Sequence, residues 1–415
     1  MLNLISAYYL MRKLPYSPRA KLTRLQNNKL HTLMRNHLSP FYLERITSPR
    51  SVSLDTLHKV PVTDPFDFRS VSPQMRSKRN IADQNLISLS TSGSSGVPLT
   101  VNVSLREFRI VQLQQLRFFQ IHGWKPWWKT VIIWSEDKSE ADSPLQKIIN
   151  SQKKLINVTA PLDEQSRLIQ KHRPDLLFCP TDMLHTLALW ARNNGIVYPP
   201  VRLIATCGSP LLPNMKALIQ EVFRGKCVDI YGPIECGWLG QHCPHCGLYY
   251  FNEDSFILEV VNDHDQPASQ GNILITTLER HVTPIIRYRI GDRITMAPDN
   301  HECPVKFRHF KSIDGRSSDV LMLPGGKTFS YMHALQLNSI SGLKQFQFVQ
   351  ISLQSFVFRY TKETGINDNH LRQAVQARLP DEMLPGLVFK EEPLINPEKS
   401  GKYKLIVNQS KGITP

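Results

Sequence analysis

Residues 174–205 read PDLLFCPTDMLHTLALWARNNGIVYPPVRLIA. Leu176-Leu177-Phe178 and Leu203-Ile204-Ala205 are short apolar runs, and residues 181–194 between them form a helical stretch. Short apolar runs punctuated by turn residues suit buried strands. The same alternation extends outward. Val131-Ile132-Ile133-Trp134 and Leu155-Ile156-Asn157-Val158 are further strand candidates, with helical stretches near 163–172 and 212–224. Strand and helix in turn imply a mostly parallel sheet covered on both faces. Ligands of such sheets sit at the carboxyl ends of the strands.

The flanks have other patterns. Leu22, Leu25, Leu30, Leu33 and Met34 fall near helical spacing, and Ser39-Pro40 ends the run. Residues 69–80 are basic and polar and predict a surface loop. Residues 255–295 are β-rich, with Phe256-Ile257-Leu258, Ile273-Leu274-Ile275 and Ile285-Ile286-Arg287-Tyr288 as strands. After about residue 318 a unit of roughly a hundred residues follows. Its strands are expected at Phe346–Ser352, Phe356–Tyr360 and Leu387–Lys390, and its helix at His370–Leu379. That pattern predicts a small α+β domain joined near Arg316–Asp319. The fold class is therefore α/β, with a large N-terminal domain over 1–316 and a small C-terminal domain over 317–415.

A chain of 415 residues has room for two or three domains. With 41% hydrophobic and 20% charged residues, global disorder is excluded. Fifty Lys+Arg against 35 Asp+Glu give a net charge of +15. That surplus favours anionic partners (nucleotides, nucleic acid or acidic lipid) and serves solubility equally well. No apolar run approaches the ~20 residues of a membrane span. The opening MLNLISAYYLMRK lacks a small-residue cleavage site and is read as the start of a folded helix rather than a signal peptide. Seven cysteines do not make a disulfide framework, so a reducing, cytoplasmic setting is expected.

Five segments carry candidate chemistry. Ser90-Thr91-Ser92-Gly93-Ser94-Ser95-Gly96-Val97-Pro98 alternates hydroxyls and glycines after the strand candidate Leu86–Leu89. Such a loop can converge backbone N–H groups on an anion, and it suits a plain turn as well. It lacks the Gly-Lys-Ser/Thr of a Walker loop. Asp229-Ile230-Tyr231-Gly232-Pro233-Ile234-Glu235 presents an aromatic ring and a carboxylate on a Gly-Pro turn. The ring can stack on a base or an aryl substrate, and the carboxylate can hold Mg²⁺ beside a phosphate. An ordinary surface turn reads the same way. Arg287-Tyr288-Arg289-Ile290-Gly291-Asp292 and Ile313-Asp314-Gly315-Arg316-Ser317-Ser318-Asp319 each set an acid and arginines around a glycine. The acid can accept from ribose hydroxyls and an arginine can fork onto phosphate. Ser400-Gly401-Lys402-Tyr403-Lys404 sets a lysine on a glycine-containing loop, where it can deliver a point charge or simply be solvated.

Together and in this order, the five segments resemble the adenylate-forming superfamily, and most nearly its phenylacetate–CoA ligase-like branch. Ser39-Pro40-Phe41-Tyr42 after a helix, and Gly208-Ser209-Pro210 followed by a short helix and Asp229-Ile230-Tyr231-Gly232, look like that branch too. The resemblance covers nearly the whole chain. It implies a large domain and a small mobile one with the active site between them. A carboxylic acid would attack the α-phosphate of ATP, giving acyl-AMP and pyrophosphate. A thiol such as CoA would then take the acyl group. By the same resemblance, Thr91, Ser92, Gly93, Ser94, Ser95 and Gly96 would hold the triphosphate. Gly208, Ser209, Pro210, Tyr231 and Gly232 would flank adenine and substrate. Glu235 would hold Mg²⁺, Asp292 the ribose hydroxyls and Arg316 ribose or phosphate. Lys402 would bridge the carboxylate and the α-phosphate.

Three positions depart from the family pattern. Ile234 stands where a threonine is usual, Ser318 replaces the first of two aspartates at the hinge, and Leu99 occupies a position that often holds lysine. These changes suggest a specialised or damaged catalyst.

Cys243-Pro244-His245-Cys246-Gly247 is a Cys-x-x-Cys knuckle within 236–303. Cys236 lies before it and Cys303 beyond it, with His242, His245 and His301 nearby. Two thiolates at that spacing suit one face of a tetrahedral Zn²⁺. The expected ligands are Cys243, Cys246 and Cys303, with Cys236 as the fourth. Free thiols, or a Cys243–Cys246 redox pair, are the alternatives. Cys179, Cys207 and Cys227 sit in apolar strands and are expected in the core.

The branch favours aryl or arylacetic acids. Trp124, Trp127, Trp128 and Tyr231 could wall an aromatic pocket, or the tryptophans could serve packing. Three functions fit: an aryl acid–CoA ligase, an adenylating enzyme that acylates a carrier-protein thiol or an amine, or a pseudoenzyme that binds a partner through the knuckle. The preferred reading includes no nucleic-acid partner and leaves a homodimer open.

Overall fold

The computed structural model describes residues 11–78, 86–90, 99–134, 152–298, 301–316, 320–330, 333–334, 337, 340–396 and 405–409. The chain divides into two compact units: Met1–Trp124 with Asp229–Ile313, and Lys125–Val228 with Asp314–Pro415.

In the second unit, β3 (Thr130–Trp134), β4 (Lys153–Asn157), β5 (Leu176–Pro180) and β6 (Leu203–Cys207) form a parallel sheet in the order β6-β5-β3-β4. Helices α3 (Leu162–His172), α4 (Thr181–Asn193) and α5 (Pro213–Phe223) alternate with these strands, as the sequence predicts. Val131, Leu177, Leu187, Ile204, Ile219 and Phe223 are fully buried in one core. Burying each such side chain contributes roughly 1.5–3 kcal/mol. Helix α5 stops at Arg224, in the left-handed region, followed by Gly225. A Cβ on Gly225 would stand 1.9 Å from the Val201 carbonyl oxygen, so only glycine fits there.

The same unit contains the C-terminal α+β body. Its sheet runs β18 (Leu387–Glu391), β17 (Ser355–Lys362), β16 (Leu343–Ser352), β19 (Ile406–Asn408). Helix α6 (Asp368–Gln376) is capped by Asn367 and buries Leu371 and Val375 among Phe346, Phe348, Phe358 and Tyr360.

The first unit is antiparallel. Its helices α1 (Arg19–Asn36) and α2 (Leu105–Ile121) flank a hairpin, β1 (Leu86–Ser90) and β2 (Thr100–Ser104). Helix α2 starts on a capping box. Glu107 Oε2 accepts from the Ser104 amide at 2.5 Å, while its Oε1 accepts from the Val282 amide at 2.9 Å. The main sheet runs β10 (Phe256–Val261), β11 (Gln270–Thr277), β12 (Tyr288–Met296), β13 (His309–Arg316), β9 (Tyr249–Phe251), β8 (Gly240–His242). Strand β7 (Lys226–Tyr231) crosses the chain boundary between the units, and its Ile230 and Tyr231 pair with Gln241 and Gly240 of β8.

Two expectations need correction. The strand predicted at Ile285–Tyr288 begins only at Tyr288. Arg287 adopts a positive φ of 44°, and its guanidinium binds Glu259 and the His58 and Val60 carbonyls, which turns the chain out of the sheet. The basic stretch 69–80 is not simply a loop. Pro65–Ser70 and Pro73–Arg76 are helical turns, and Arg76 is buried over the Phe68 ring. Among the described residues, no helix is long and apolar enough to cross a membrane.

Candidate functional site

The first unit brings Tyr231, Gly232, Glu235 and Asp292 together. Tyr231 ends β7, and the chain turns at once. A Cβ on Gly232 would meet the Gly237 carbonyl oxygen at 2.0 Å, so the turn that delivers Glu235 closes only over a glycine. Glu235 is buried. Tyr231 Oη donates to Asp292 Oδ2 at 2.6 Å, a short bond of the kind a charged acceptor makes. The ring that would stack on a base is thereby tied to the carboxylate that would hold a ribose. Ile234, beside Glu235, is exposed.

Aromatic rings floor this site. Phe310 meets the Tyr231 ring edge-on at 6.1 Å and stacks on Tyr249 at 4.9 Å and Phe251 at 4.3 Å. Tyr249 Oη donates to Asp229 Oδ2 at 2.7 Å, which repeats the Tyr–Asp pairing two residues before Tyr231. Glu235 and the buried Arg280 set opposite charges beside Cys236. Tyr288 is raised by burial first and the Glu235 carboxylate next, and the Cys236 thiol is raised well above its ordinary value by the same two causes in the same order.

The Gly208-Ser209-Pro210 segment lies in the second unit, after β6. Gly208 has φ +88°, and Ser209 Oγ donates to Asp182 Oδ2 at the start of α4. Thr181 Oγ1 donates to the Ser209 carbonyl at 2.9 Å and the Cys207 carbonyl at 3.2 Å. Helix α4 thus fixes the turn. Arg316 ends β13, and its side chain is outside the described residues. So are Thr91, Ser92, Gly93, Ser94, Ser95 and Gly96, the hinge Ser317–Asp319 and the lysine loop with Lys402. Leu99, just after the phosphate loop, is fully buried.

Some candidates have structural jobs instead. Arg287 forks onto Glu259, and Arg289 pairs with Asp265 at 2.5 Å, so two arginines considered for phosphate are held by protein acids. Trp127 is exposed, Trp128 lies under the Arg202 guanidinium, and Trp124 is buried.

A second constellation forms in the same unit as Tyr231. The ligand atoms of Cys243, Cys246, Cys303 and His309 all lie within 4.8 Å of one another. Cys243 and Cys303 Sγ are 3.6 Å apart, far beyond a disulfide bond of ~2.05 Å. Two sulfurs at ~2.3 Å from one tetrahedral ion would stand roughly 3.8 Å apart. The fourth group here differs from the one expected from the sequence. Cys236 sits instead in the apolar core with Tyr231 and Leu239, and His309 takes its place. The His309 ring bonds to the Phe307 backbone, and its buried Nε2 has no partner among the described residues. Burial raises all three thiols, so protons, in the absence of an ion, stay on sulfur. Sequence reasoning missed His309 although Cys303-x₅-His309 is a short spacing, because the residue lies beyond the 236–303 stretch that the cysteines bound. The Asp182–Ser209 and Tyr249–Asp229 pairs had no local signal at all.

No protein-family model matches the chain. Phenylacetate–coenzyme A ligases do. The Escherichia coli enzyme is 36% identical over 178 residues, 40% of each chain. That of Aromatoleum evansii is 28% identical over 177 residues, 40% of this chain and 39% of its own. The matches thus span about two fifths of these relatives' length. Among solved structures, a 2-hydroxyisobutyryl-CoA ligase in the postadenylation state has a TM-score of 0.75 at 16% identity, covering 96% of this chain and 92% of its own. An anthranilate CoA ligase in complex with anthranoyl-AMP has a TM-score of 0.57 at 13% identity, covering 77% and 66%. The chain has the adenylate-forming superfamily fold, and its sequence likeness falls in the phenylacetate–CoA ligase-like branch.

Proposed function

We propose that the protein is an ATP-dependent, AMP-forming acid–thiol ligase. The observation that carries this reading is the buried trio of Tyr231, Glu235 and Asp292, with the phenol bonded to the Asp292 carboxylate. The acid's carboxylate oxygen attacks the α-phosphorus and the bond to the β-phosphate breaks, releasing pyrophosphate and leaving acyl-AMP. A thiolate then attacks the acyl carbon, and AMP departs. We assign CoA as the thiol and an aryl or arylacetic acid as the substrate, on the strength of the relatives' names.

In this reading Tyr231 flanks adenine and acid, and Asp292 accepts from the ribose. Residues 91–96 hold the triphosphate. Glu235, a buried carboxylate, holds Mg²⁺, which when bound neutralises phosphate charge. Lys402 and Arg316 meet charge that develops as pyrophosphate leaves, so they stabilise the transition state more than the ground state. Lys402 belongs to a small C-terminal domain, residues 317–415. Cys243, Cys246, Cys303 and His309 form a structural zinc centre: three thiolates and one imidazole suit Zn²⁺, and coordination would release the protons that burial keeps on sulfur.

The test is ATP–pyrophosphate exchange with a panel of aryl and aliphatic acids. Exchange that requires an acid, and that falls ~10²–10³-fold in Lys402→Ala, is the expected result. Exchange without CoA consumption would move the acceptor to a carrier protein or an amine. No exchange with any acid would end the catalytic reading.

A further inference from the structure

Two of the four metal-ligand candidates stand one residue from side chains that grip the strand carrying Tyr231. Cys243 follows His242 directly. His242 Nδ1 accepts the Asp229 backbone N–H at 2.8 Å, and its ring lies 4.1 Å from that of Tyr249, whose hydroxyl holds the Asp229 carboxylate. The strand that ends at His242 pairs Gly240 with Tyr231. On the other side, His309 precedes Phe310, whose ring packs on Tyr231, Tyr249 and Phe251. A Cβ on Gly240 would touch that ring at 3.0 Å, so the strand and Phe310 are in close contact. The remaining ligands close the arrangement: Cys246 by the turn in which the Cys243 amide bonds the Leu248 carbonyl at 2.7 Å, and Cys303 by its place in a core with Leu14, Leu22 and Phe307.

We infer that the Cys243/Cys246/Cys303/His309 centre is a brace for the nucleotide site: an ion bound there fixes His242 and Phe310, and through them the backbone of Asp229–Tyr231. The inference rests on the zinc and adenylation readings above and goes beyond both. A metal that merely stapled the 301–308 loop to the N-terminal segment would leave β7 untouched. Here Cys243 adjoins His242, which bonds the β7 backbone, and His309 adjoins Phe310, whose ring packs on Tyr231. The four residues are positioning residues and touch no substrate.

The experiment uses the full chain. Zinc content is measured by elemental analysis before and after chelation, with far-UV circular dichroism to show that the fold persists. Amide hydrogen exchange is then read at Asp229–Tyr231 and Gly240–His242, and ATP affinity by calorimetry. Zinc loss is expected to speed exchange at those amides and to weaken ATP binding by about tenfold. Added Zn²⁺ restores both. A His242→Ala variant, which removes no ligand, is expected to keep its zinc and lose the same affinity. Unchanged exchange at Asp229–Tyr231 after zinc loss overturns the brace, as does an undiminished affinity in His242→Ala. A purified protein without zinc overturns it together with the metal reading. A loaded protein that binds no ATP overturns the adenylation reading, while the exchange data still decide the brace.

Discussion

Six of the seven cysteines divide between two regions with opposite outcomes, and the seventh, Cys236, packs in the apolar core of the antiparallel unit. In the parallel sheet, Cys179, Cys207 and Cys227 each end up buried in a strand, and Cys179 and Cys227 pack with Leu177, Ile204 and Phe223. In the antiparallel unit, Cys243, Cys246 and Cys303 converge with His309. All are buried or nearly so and all are free of disulfides. Burial alone makes a cysteine a small apolar residue. Convergence of ligand atoms from a turn, a loop and a strand makes it a candidate for coordination. The same contrast holds for the wider regions: the parallel sheet is a packing solution, and the antiparallel unit holds buried acids, phenols and imidazoles in specific pairs.

The sharpest way to break that contrast is at Glu235. Glu235→Ala is expected to lower acid-dependent ATP–pyrophosphate exchange by ~10²–10³-fold, about 3–4 kcal/mol, with melting temperature nearly unchanged. The mirror experiment is Leu177→Ala in the parallel core. It is expected to cost about 2–5 kcal/mol of stability in denaturant titration and to leave KM for ATP unchanged while the protein is folded. If instead the core variant shifted KM as strongly as a site variant, the two regions would not be separable.

Smaller effects sharpen the boundary. Tyr231→Phe keeps the ring and removes the hydroxyl from Asp292. A bond to a charged group is worth roughly 1.5–3 kcal/mol, so KM for ATP should rise by about tenfold or more with kcat less affected. A rise no larger than that of a distant surface substitution would remove the phenol–carboxylate pair from the site. The smallest expected effect is acid sensitivity in the parallel unit. His185 is buried on α4, and desolvation first, then Arg192, lowers its pKa to about 4. The unfolded chain therefore takes up this proton first. The contribution to stability is whole above ~6.5 and is lost as pH falls from there toward about 4. His185→Gln should flatten that part of the stability profile, measured by denaturant titration at stepped pH.

The contrast also explains what the sequence could reveal. Val131–Trp134, Leu176–Phe178 and Leu203–Ala205 are legible because burial on both faces of a parallel strand demands contiguous apolar residues. Tyr231, Glu235 and Asp292 were legible through ordered motifs, since each sits on a short segment with its own glycine. His309 was not, because its partners lie six and more residues away, outside the stretch of 236–303 that the cysteines mark. Nor was the true role of Arg287. An arginine beside Tyr and Gly reads as an anion ligand, and only the fold shows Glu259 already occupying it. The Ile285–Tyr288 run failed for the same reason: apolar character was local, but the bend imposed by Arg287 was not.

The central claim is that Tyr231, Glu235 and Asp292 belong to one site that holds a nucleotide esterified to an acid. A non-hydrolysable acyl-adenylate analogue, titrated calorimetrically into the full chain, tests it most directly, because an intermediate mimic engages the contacts made for both adenosine and acyl group. Saturable one-to-one binding is expected, weakened by at least tenfold in Asp292→Ala. Absence of binding across aryl and aliphatic analogues, or equal affinity in Asp292→Ala, would contradict it.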